Sequence, residues 1–251
     1  MAGAMGCYMT AMLVTRPEPD AQSSVLKLSA LGIEAVAAPV MVRQTLDSSV
    51  PPPEGFAAMV LTSANGVRSL ADRGLVEQYR HLPVFAVGDR TAFEAREHGF
   101  AEVTSAEGAF ADLVNLIARA RLSGPVFYPA GKHQSGDLGK ALAPFGVMVA
   151  TARLYEMVAL DSLPEEALTG LVDGSIGAVL VYSRRTAEIF ARLAGRLDRG
   201  RRSAIAMLAM SEAVAEPLLE NHFNRISLAD RPDEDGMMTL ALAFAREQTG
   251  P

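Results

Sequence analysis

Cysteine, tryptophan and the common metal-binding and nucleotide-binding motifs are scarce or missing in this chain of 251 residues. The single cysteine, Cys7, cannot form an internal disulfide, and the four histidines lack the H-x-x-x-H spacing of a zinc site. The sequence also lacks the P-loop motif, the G-x-G-x-x-G fingerprint and the G-x-S-x-G elbow. These absences disfavour metalloenzymes, nucleotide-binding proteins and α/β-hydrolases, and we expect neither a metal nor a cofactor.

Surplus positive charge and long hydrophobic runs are missing as well. The net charge of −6 disfavours nucleic acid or an acidic membrane surface as a partner, although local donors can still bind a small anion. No run approaches the ~18 apolar residues of a membrane span, and the first residues lack the basic segment of a signal peptide. We therefore expect a cytoplasmic protein with no nucleic-acid and no membrane partner.

Short apolar segments alternate with helical patterns of about ten residues, which is typical of βαβ units and parallel sheets. Strands are predicted at 12–15, 56–61, 84–87, 126–128, 147–155, 179–182 and 204–208. Helices are predicted at 22–31, 65–73, 91–98, 110–121, 136–145, 164–172, 185–194, 211–221 and 235–247. The pattern predicts an α/β fold.

Two halves of the chain are similar. AMVLTSANGVRSL at 58–70 resembles AVLVYSRRTAEIF at 178–190, 120 residues later. The same offset pairs VFAVGDRTAFEA, from Val84, with AIAMLAMSEAVA, from Ala204, so that Thr91 aligns with Ser211 and Gly88 with Leu208. This similarity predicts two related α/β domains.

The repeat is nested, because residues 12–32 find their companions only after residue 178, whereas 56–146 contain a complete set. We predict one discontinuous domain from 9–38 plus 158–249, with a second domain, 44–150, inserted into it. The crossing segments 39–43 and 151–157 would pair as a two-stranded connector and act as a hinge.

The loops at the carboxyl ends of the predicted strands are rich in hydroxyls, glycine and arginine. Ligands bind at this end of parallel strands, and free N–H groups at the following helix starts suit carboxylates or phosphates. Ordinary helix capping is the better explanation of any one such loop, and the functional interpretation gains from five or six loops at the same edge. The candidate ligand-binding residues are Arg16, Thr62, Ser63, Asn65, Gly88, Arg90, Thr91, Tyr128, Gly131, Tyr182, Ser183, Arg184 and Ser211. Two such sheets facing each other would make a cleft for one large anionic ligand, and we expect a monomer.

Tyr155 lies in the second crossing segment and should face this cleft. A phenol there can donate a proton to a leaving hydroxyl or position a ligand. An aromatic side chain packed at a hinge is the alternative. The acidic stretches Glu165-Glu166 and Asp233-Glu234-Asp235 are interpreted as solvated helix starts rather than acid/base pairs.

An ordered set of short motifs, from Leu13 to about Phe244, resembles the uroporphyrinogen-III synthase family. The motifs are LVTRP at 13–17, LTSANGV at 61–67, AVGDRTA at 86–92, YPAG at 128–131, RLYE at 153–156, VYSRRTAEIF at 181–190 and SEAVA at 211–215. The one departure is Leu208, which aligns with Gly88 where a glycine is common in the family.

The resemblance implies two α/β domains joined by a two-stranded connector, with hydroxymethylbilane, a linear tetrapyrrole, as the substrate. Enzymes of the family are cofactor-free lyases, which remove a terminal hydroxyl as water and close the ring through a spiro intermediate that inverts the last pyrrole. By motif match, Tyr155 would assist hydroxyl loss, and the candidate ligand-binding residues would hold the acetate and propionate arms. The preceding pathway enzyme is expected as a transient partner.

Two other functions stay open at this point. A non-catalytic module of the same fold could sense a tetrapyrrole or another polyanion. A periplasmic-type solute receptor would share the two-segment hinge, but the missing signal peptide disfavours it.

Overall fold

The computed structural model describes residues 10–249 except 107 and 135. The chain forms two compact units. One runs up to Val42 and resumes at Val158, and the other is Arg43–Met157. These bounds divide the crossing segments between the units, whereas the sequence-based division treats 39–43 and 151–157 as a separate connector.

The described residues contain strands and helices in alternation. The strands are β1 (Ala11–Val14), β2 (Ala35–Ala37), β3 (Met41–Thr45), β4 (Ala58–Leu61), β5 (Val84–Ala86), β6 (Val103–Ser105), β7 (Val126–Gly131), β8 (Val149–Ala159), β9 (Ile176–Val181), β10 (Ala206–Ala209) and β11 (Arg225–Leu228). The helices are α1 (Asp20–Ala30), α2 (Ala64–Asp72), α3 (Val76–Tyr79), α4 (Asp89–Glu97), α5 (Phe110–Arg119), α6 (Leu138–Leu142), α7 (Glu165–Asp173), α8 (Arg184–Leu193), α9 (Arg199–Ala204), α10 (Glu212–Glu220) and α11 (Glu234–Thr249). Short 3-10 helices follow α6 and α8.

Each unit is built on a parallel sheet. The discontinuous unit has the strand order β11-β10-β9-β1-β2, with every neighbouring pair parallel. The second sheet has the order β3-β8-β7-β4-β5-β6, with the strands from β8 to β6 parallel. The predicted α/β class with two parallel-sheet domains is therefore confirmed.

The two crossing strands, β3 and β8, are neighbours in the second sheet. The Leu46 N–H donates to the Leu154 carbonyl (2.7 Å), and the Leu160 N–H donates to the Val40 carbonyl (2.9 Å). Residue numbers thus rise along one strand as they fall along the other, so the pair is antiparallel. These strands form the edge of a six-stranded sheet rather than an isolated ribbon.

The strand order is the same in both units once β3 is set aside, since β11-β10-β9-β1-β2 corresponds to β6-β5-β4-β7-β8. In the second unit the equivalent strands follow one another along the chain as β4, β5, β6, β7 and β8. In the discontinuous unit, β9, β10 and β11 correspond to β4, β5 and β6, but the counterparts of β7 and β8 are β1 and β2, which come first in the chain. The units are therefore circular permutations of one topology, which explains the nested repeat.

Backbone hydrogen bonds correct the alignment of the two halves. The Val87 N–H donates to the Leu61 carbonyl (2.9 Å), and the Met210 N–H donates to the Val181 carbonyl (3.1 Å) in the same position of the other sheet. The offset is therefore 120 residues at the first strand but 123 at the second. Three extra residues lie between these strands in the second half, and the ungapped sequence alignment did not allow for this insertion.

This correction changes the partner of Gly88. Gly88 precedes α4 as Ser211 precedes α10, in each case two residues after the strand ends. Leu208 is a buried residue inside β10 and is not the counterpart of Gly88. The predicted pairings of Thr91 with Ser211 and of Gly88 with Leu208 are wrong, and the residue that takes the position of Gly88 in the second half is Ser211.

The core lies on both faces of each sheet, which is why the central strands are apolar throughout. Val60 and Tyr128 pack against α5 and α6 on one face of the second sheet, while Leu61 and Phe127 pack against α2 on the other. All four residues of β4 are buried. Every residue of β5 and β7 is buried as well, so along these central strands exposed polar side chains begin at the carboxyl edge.

Candidate active site

The carboxyl edge of the second sheet brings hydroxyl groups to the start of α2. Ser63 is the N-cap residue, with an extended backbone (φ −160°, ψ 147°), and its side chain accepts a hydrogen bond from the Asn65 N–H (3.2 Å). Thr62, one residue earlier, lies 2.7 Å from the Tyr128 hydroxyl on the neighbouring strand. Burial raises the pKa of Tyr128, and the contact with Thr62 partly offsets this. Both tyrosine and threonine are therefore neutral hydrogen-bonding groups.

Tyr155 reaches this edge because of a register irregularity between β7 and β8. Arg153 pairs with Ala130, and the pairing then shifts so that Tyr155, instead of Leu154, lies opposite Gly131. Such irregularities re-aim a side chain at the end of a strand. A Cβ atom on Gly131 would lie 3.0 Å from two ring carbons of Tyr155, so glycine makes the room for the ring.

The phenol of Tyr155 is kept protonated at neutral pH. The residue is 8% exposed, and burial raises its pKa above the ordinary value of 10.0. The Ser63 side chain and the positive charge of Arg43 lower the pKa, while Tyr128 raises it further. The structure thus places a protonated phenol, which can donate a hydrogen bond, beside the Ser63 side chain at the start of α2.

The other candidates of this unit lie at α2 and α4. Arg90 lies 3.8 Å from Glu94, and Glu94 also pairs with the buried Arg68 at 2.6 Å. Arg68 in turn lies 3.5 Å from the Asn65 side-chain oxygen. Thr91 is 5% exposed, so its hydroxyl lies inside the unit. Arg90 is thus tied to a carboxylate that the sequence analysis did not identify.

Gly88 begins α4 with an extended backbone (φ −167°). A Cβ there would lie 3.3 Å from the Gly108 Cα, so a side chain would crowd this loop. The helix start at Gly88 therefore offers backbone N–H groups without a side chain above them.

In the discontinuous unit, Ser183 and Ser211 occupy the equivalent helix starts. Ser183 accepts a hydrogen bond from the Thr186 N–H (3.2 Å) and lies 2.8 Å from the Thr186 hydroxyl. Ser211 has the same extended backbone, but within the described residues its side chain makes no capping hydrogen bond. Arg184 contacts Glu216 and lies 3.1 Å from Glu188. Within the described part of the chain the Ser211 hydroxyl thus caps no helix N–H, whereas Arg184 is paired.

Arg16 and Tyr182 come together at the ends of β1 and β9. The Arg16 guanidinium carbon lies 4.3 Å from the centre of the Tyr182 ring, a cation–π contact. Arg16 also pairs with Glu234, and the Ser24 hydroxyl donates to the same carboxylate (2.8 Å). Burial, and secondly the negative charge of Glu234, raise the pKa of Tyr182 to about 12.

Glu234 therefore corrects the sequence interpretation of its segment. Its side chain is 22% exposed and lies in a cluster with Arg16, Asp20 and Lys27. The predicted helix start is confirmed, because α11 begins at Glu234, but this carboxylate is paired with Arg16 rather than solvated. No local pattern could have shown the contact, because Arg16 and Glu234 are 218 residues apart.

The structure thus gathers five candidates, Thr62, Ser63, Tyr128, Gly131 and Tyr155, at one edge of the second unit. In the discontinuous unit it joins Arg16 to Tyr182, places Ser183 and Arg184 together at the start of α8, and places Ser211 at the start of α10. Among the described residues, no three His, Cys, Asp or Glu side chains lie close enough together to hold a metal ion. In the same part of the chain, no helix is both long and apolar enough to cross a membrane.

The chain is thus a two-domain α/β protein in which two units of one topology are circularly permuted and nested. A family model described as uroporphyrinogen-III synthase HemD matches residues 22–239. The chain therefore belongs to the uroporphyrinogen-III synthase family, and the resemblance seen in the strand-end motifs is confirmed.

Individual relatives agree with this assignment. The uroporphyrinogen-III synthase of Chlorobaculum parvum is 28% identical over 159 residues, which cover 59% of this chain and 64% of that protein. The match thus spans less than two thirds of that relative's length. The solved uroporphyrinogen-III synthetase of Helicobacter pylori has a TM-score of 0.65 at 17% identity, over 94% of this chain and 100% of that chain. A mutant uroporphyrinogen III synthase from Thermus thermophilus has a TM-score of 0.51 at 18% identity, over 95% and 99% of the two chains. At these identities the solved structures show the fold alone.

Proposed function

We propose that this protein is a uroporphyrinogen-III synthase, a lyase that dehydrates and cyclises hydroxymethylbilane with inversion of the terminal pyrrole. The family match over residues 22–239 is the observation that carries the proposal. The buried, protonated Tyr155 beside Ser63 supports it, because loss of the terminal hydroxyl requires a proton donor.

In the proposed reaction, the Tyr155 phenol donates a hydrogen bond, and then its proton, to the terminal hydroxyl of the bilane. The carbon–oxygen bond breaks and water leaves. The last pyrrole releases a proton when the macrocycle closes, and this proton replaces the one that Tyr155 gave up. Ser63 lies beside the phenol and stabilises the phenolate that forms.

The remaining strand-end residues are proposed to hold the acid arms. The helix starts at Ser63, Gly88, Ser183 and Ser211 present N–H groups that have no partner within the helix. Holding a flexible linear chain in one reactive conformation is positioning catalysis, which needs neither a nucleophile nor a cofactor. Arg16, Arg90 and Arg184 already pair with carboxylates, so we assign them the smaller share of binding.

The test is incubation with freshly generated hydroxymethylbilane, followed by oxidation and chromatographic separation of the porphyrin isomers. We expect the type III isomer to predominate. The type I isomer alone, formed at the rate of a heat-inactivated control, would refute the proposal. Nothing in the described residues favours the non-catalytic sensor.

We further propose that the protein acts as a monomer in the cytoplasm, with a transient contact to the enzyme that supplies the bilane. The short life of a linear tetrapyrrole that closes by itself favours such a contact. Analytical ultracentrifugation tests the monomer directly.

A further inference from the structure

A half-buried arginine that the proposed mechanism does not use lies beside Tyr155. Arg43 belongs to β3, the strand next to β8. The antiparallel register of these strands sets Thr45 opposite Tyr155 and Arg43 opposite Met157. Met157 lies 3.7 Å from the Asn65 side chain of α2, so this part of β8 faces α2. Arg43 and Tyr155 are thus neighbours under the same helix.

Side chains of α2 and β3 hold the Arg43 guanidinium in place. Arg43 pairs with Asp72, lies 3.3 Å from the Ser69 hydroxyl and lies 3.5 Å from the Thr45 hydroxyl. The Thr45 hydroxyl also donates to Asp72 at 2.9 Å. The Arg43 side chain is 16% exposed, whereas Asp72 is 42% exposed. The positive charge is therefore fixed and half-buried, while its counter-charge lies partly in water.

One donor of Arg43 is left without a partner. Its Nε is buried and makes no hydrogen bond within the described residues. A buried donor without an acceptor costs about 1–3 kcal/mol, so a purely structural tie between β3 and α2 would not require an arginine here. The site keeps a positive charge close to Tyr155 in spite of this cost.

We propose that Arg43 is a positioning residue that stabilises the negative charge left on Tyr155 when its phenol gives up a proton to the departing hydroxyl. The inference rests on the proposed function and adds a residue to it. The proton leaves with the hydroxyl as water, the positive charge of Arg43 stabilises the phenolate, and the proton released at ring closure restores the phenol. Arg43 acts through Tyr155 and needs no contact with the substrate.

The charges around Tyr155 agree with this role. After burial, which raises its pKa, and Ser63, which lowers it, Tyr128 raises the pKa of Tyr155 and Arg43 lowers it. Asp72 faces Arg43 from α2, and its own pKa is held low, first by Arg43 and to a smaller extent by His98. Removing the Arg43 charge therefore makes Tyr155 a weaker acid, whereas removing the Asp72 charge leaves the guanidinium less neutralised.

The experiment compares Arg43→Met, Arg43→Lys and Asp72→Asn. We expect Arg43→Met to lower kcat for type III formation about tenfold, which equals about 1.4 kcal/mol, with KM within about twofold. Arg43→Lys keeps the charge and should retain at least about a third of kcat. Asp72→Asn breaks the same ion pair without removing the cation, so kcat should stay equal or rise, while Tm falls as much as in Arg43→Met.

A second measurement does not depend on turnover. In protein with 13C-labelled tyrosine rings, the Tyr155 resonance is assigned by its loss in Tyr155→Phe, and we expect its pKa to be higher in Arg43→Met than in wild type. An unchanged Tyr155 pKa, or an equal loss of kcat in Asp72→Asn and Arg43→Met, overturns the inference. If wild type forms no type III isomer, the proposed function fails, and the titration still decides whether Arg43 acts on Tyr155.

Discussion

Replacing Gly131 by alanine tests whether the reaction depends on the position of the Tyr155 ring. The added Cβ would lie 3.0 Å from two ring carbons and 3.2 Å from the phenol oxygen, whereas ordinary contacts begin near 3.4 Å. The ring must therefore move by several tenths of an ångström, and the phenol oxygen at its far end moves with it. A misplacement of about 1 Å costs up to about a hundredfold in rate, so for a shift of several tenths of an ångström we expect kcat to fall about tenfold. Overpacking of this kind costs about 1–3 kcal/mol of stability, which is compatible with a folded protein.

The assay is the initial rate of type III isomer formation from hydroxymethylbilane, with the melting temperature measured on the same samples. Gly195→Ala is the matched control, because no heavy atom lies within 4 Å of a Cβ at that position. We expect the control to retain its activity. A Gly131→Ala protein that is folded and as active as wild type would refute the reasoning, since the ring would then tolerate displacement without consequence.

The remaining predictions concern single side chains of the two units. Tyr155→Phe should lower kcat at least about tenfold with an unchanged melting temperature, and an unchanged rate would remove the phenol from the mechanism. Glu234→Gln should destabilise the protein by about 1–3 kcal/mol in urea unfolding, because Arg16 and Ser24 lose a charged partner; no loss would mean that solvent replaces the carboxylate. The folded pKa of Tyr182 is about 12, above its ordinary 10.0, so the stability that its neutral form contributes is complete below pH 10 and is lost as the pH rises towards 12. Tyr182→Phe should therefore lose less stability than wild type between pH 9 and 11.5, and parallel urea midpoints for the two proteins would contradict the shift.

Regular alternation of apolar segments and helical patterns was enough to predict the α/β class and most elements. Helices 110–121 and 235–247 were predicted close to α5 and α11, since both carry clear apolar spacing. Gly32 and Gly99 follow α1 and α4 with positive φ angles, which glycine adopts readily at the end of a helix. Long amphipathic segments with glycine stops are thus readable from sequence.

Short and polar helices were not predictable. Helix α9 has the sequence RGRRSA and has no buried residue, so it carries no apolar periodicity. Helix α3 has four residues, which is about one turn. The helix predicted at 136–145 begins two residues later in the structure, at Leu138. It continues as a 3-10 helix that has a proline, Pro144, near its start. Polar composition, short length and a local break thus each remove the repeated apolar pattern on which a helix prediction depends.

The candidate site was predictable in its location but not in its contacts. Parallel topology alone places Thr62, Ser63 and Ser183 at strand ends and helix starts. The approach of Tyr155 to Gly131 depends on the register shift between β7 and β8, and no local sequence pattern indicates this shift. The alignment of the two halves failed for a related reason, because three extra residues between the strands are visible only through the hydrogen bonds of the sheet.

The pairing of the arginines decides which groups are free to bind an acidic ligand. Arg16 faces Glu234 and Asp20, Arg90 faces Glu94, and Arg184 faces Glu188 and Glu216. A carboxylate of the ligand would have to displace a carboxylate of the protein at each of these positions, so the net gain in Coulomb energy is small. The neutral hydroxyls and backbone N–H groups at the helix starts are not held by these ion pairs, so a ligand has to replace only the capping hydrogen bonds that Ser63 and Ser183 accept there. These groups are also fixed by the backbone that carries them. Under the proposed function, a chain with a net charge of −6 would therefore hold a polyacid substrate through short-range neutral donors, which would position the acid arms without attracting polyanions in general.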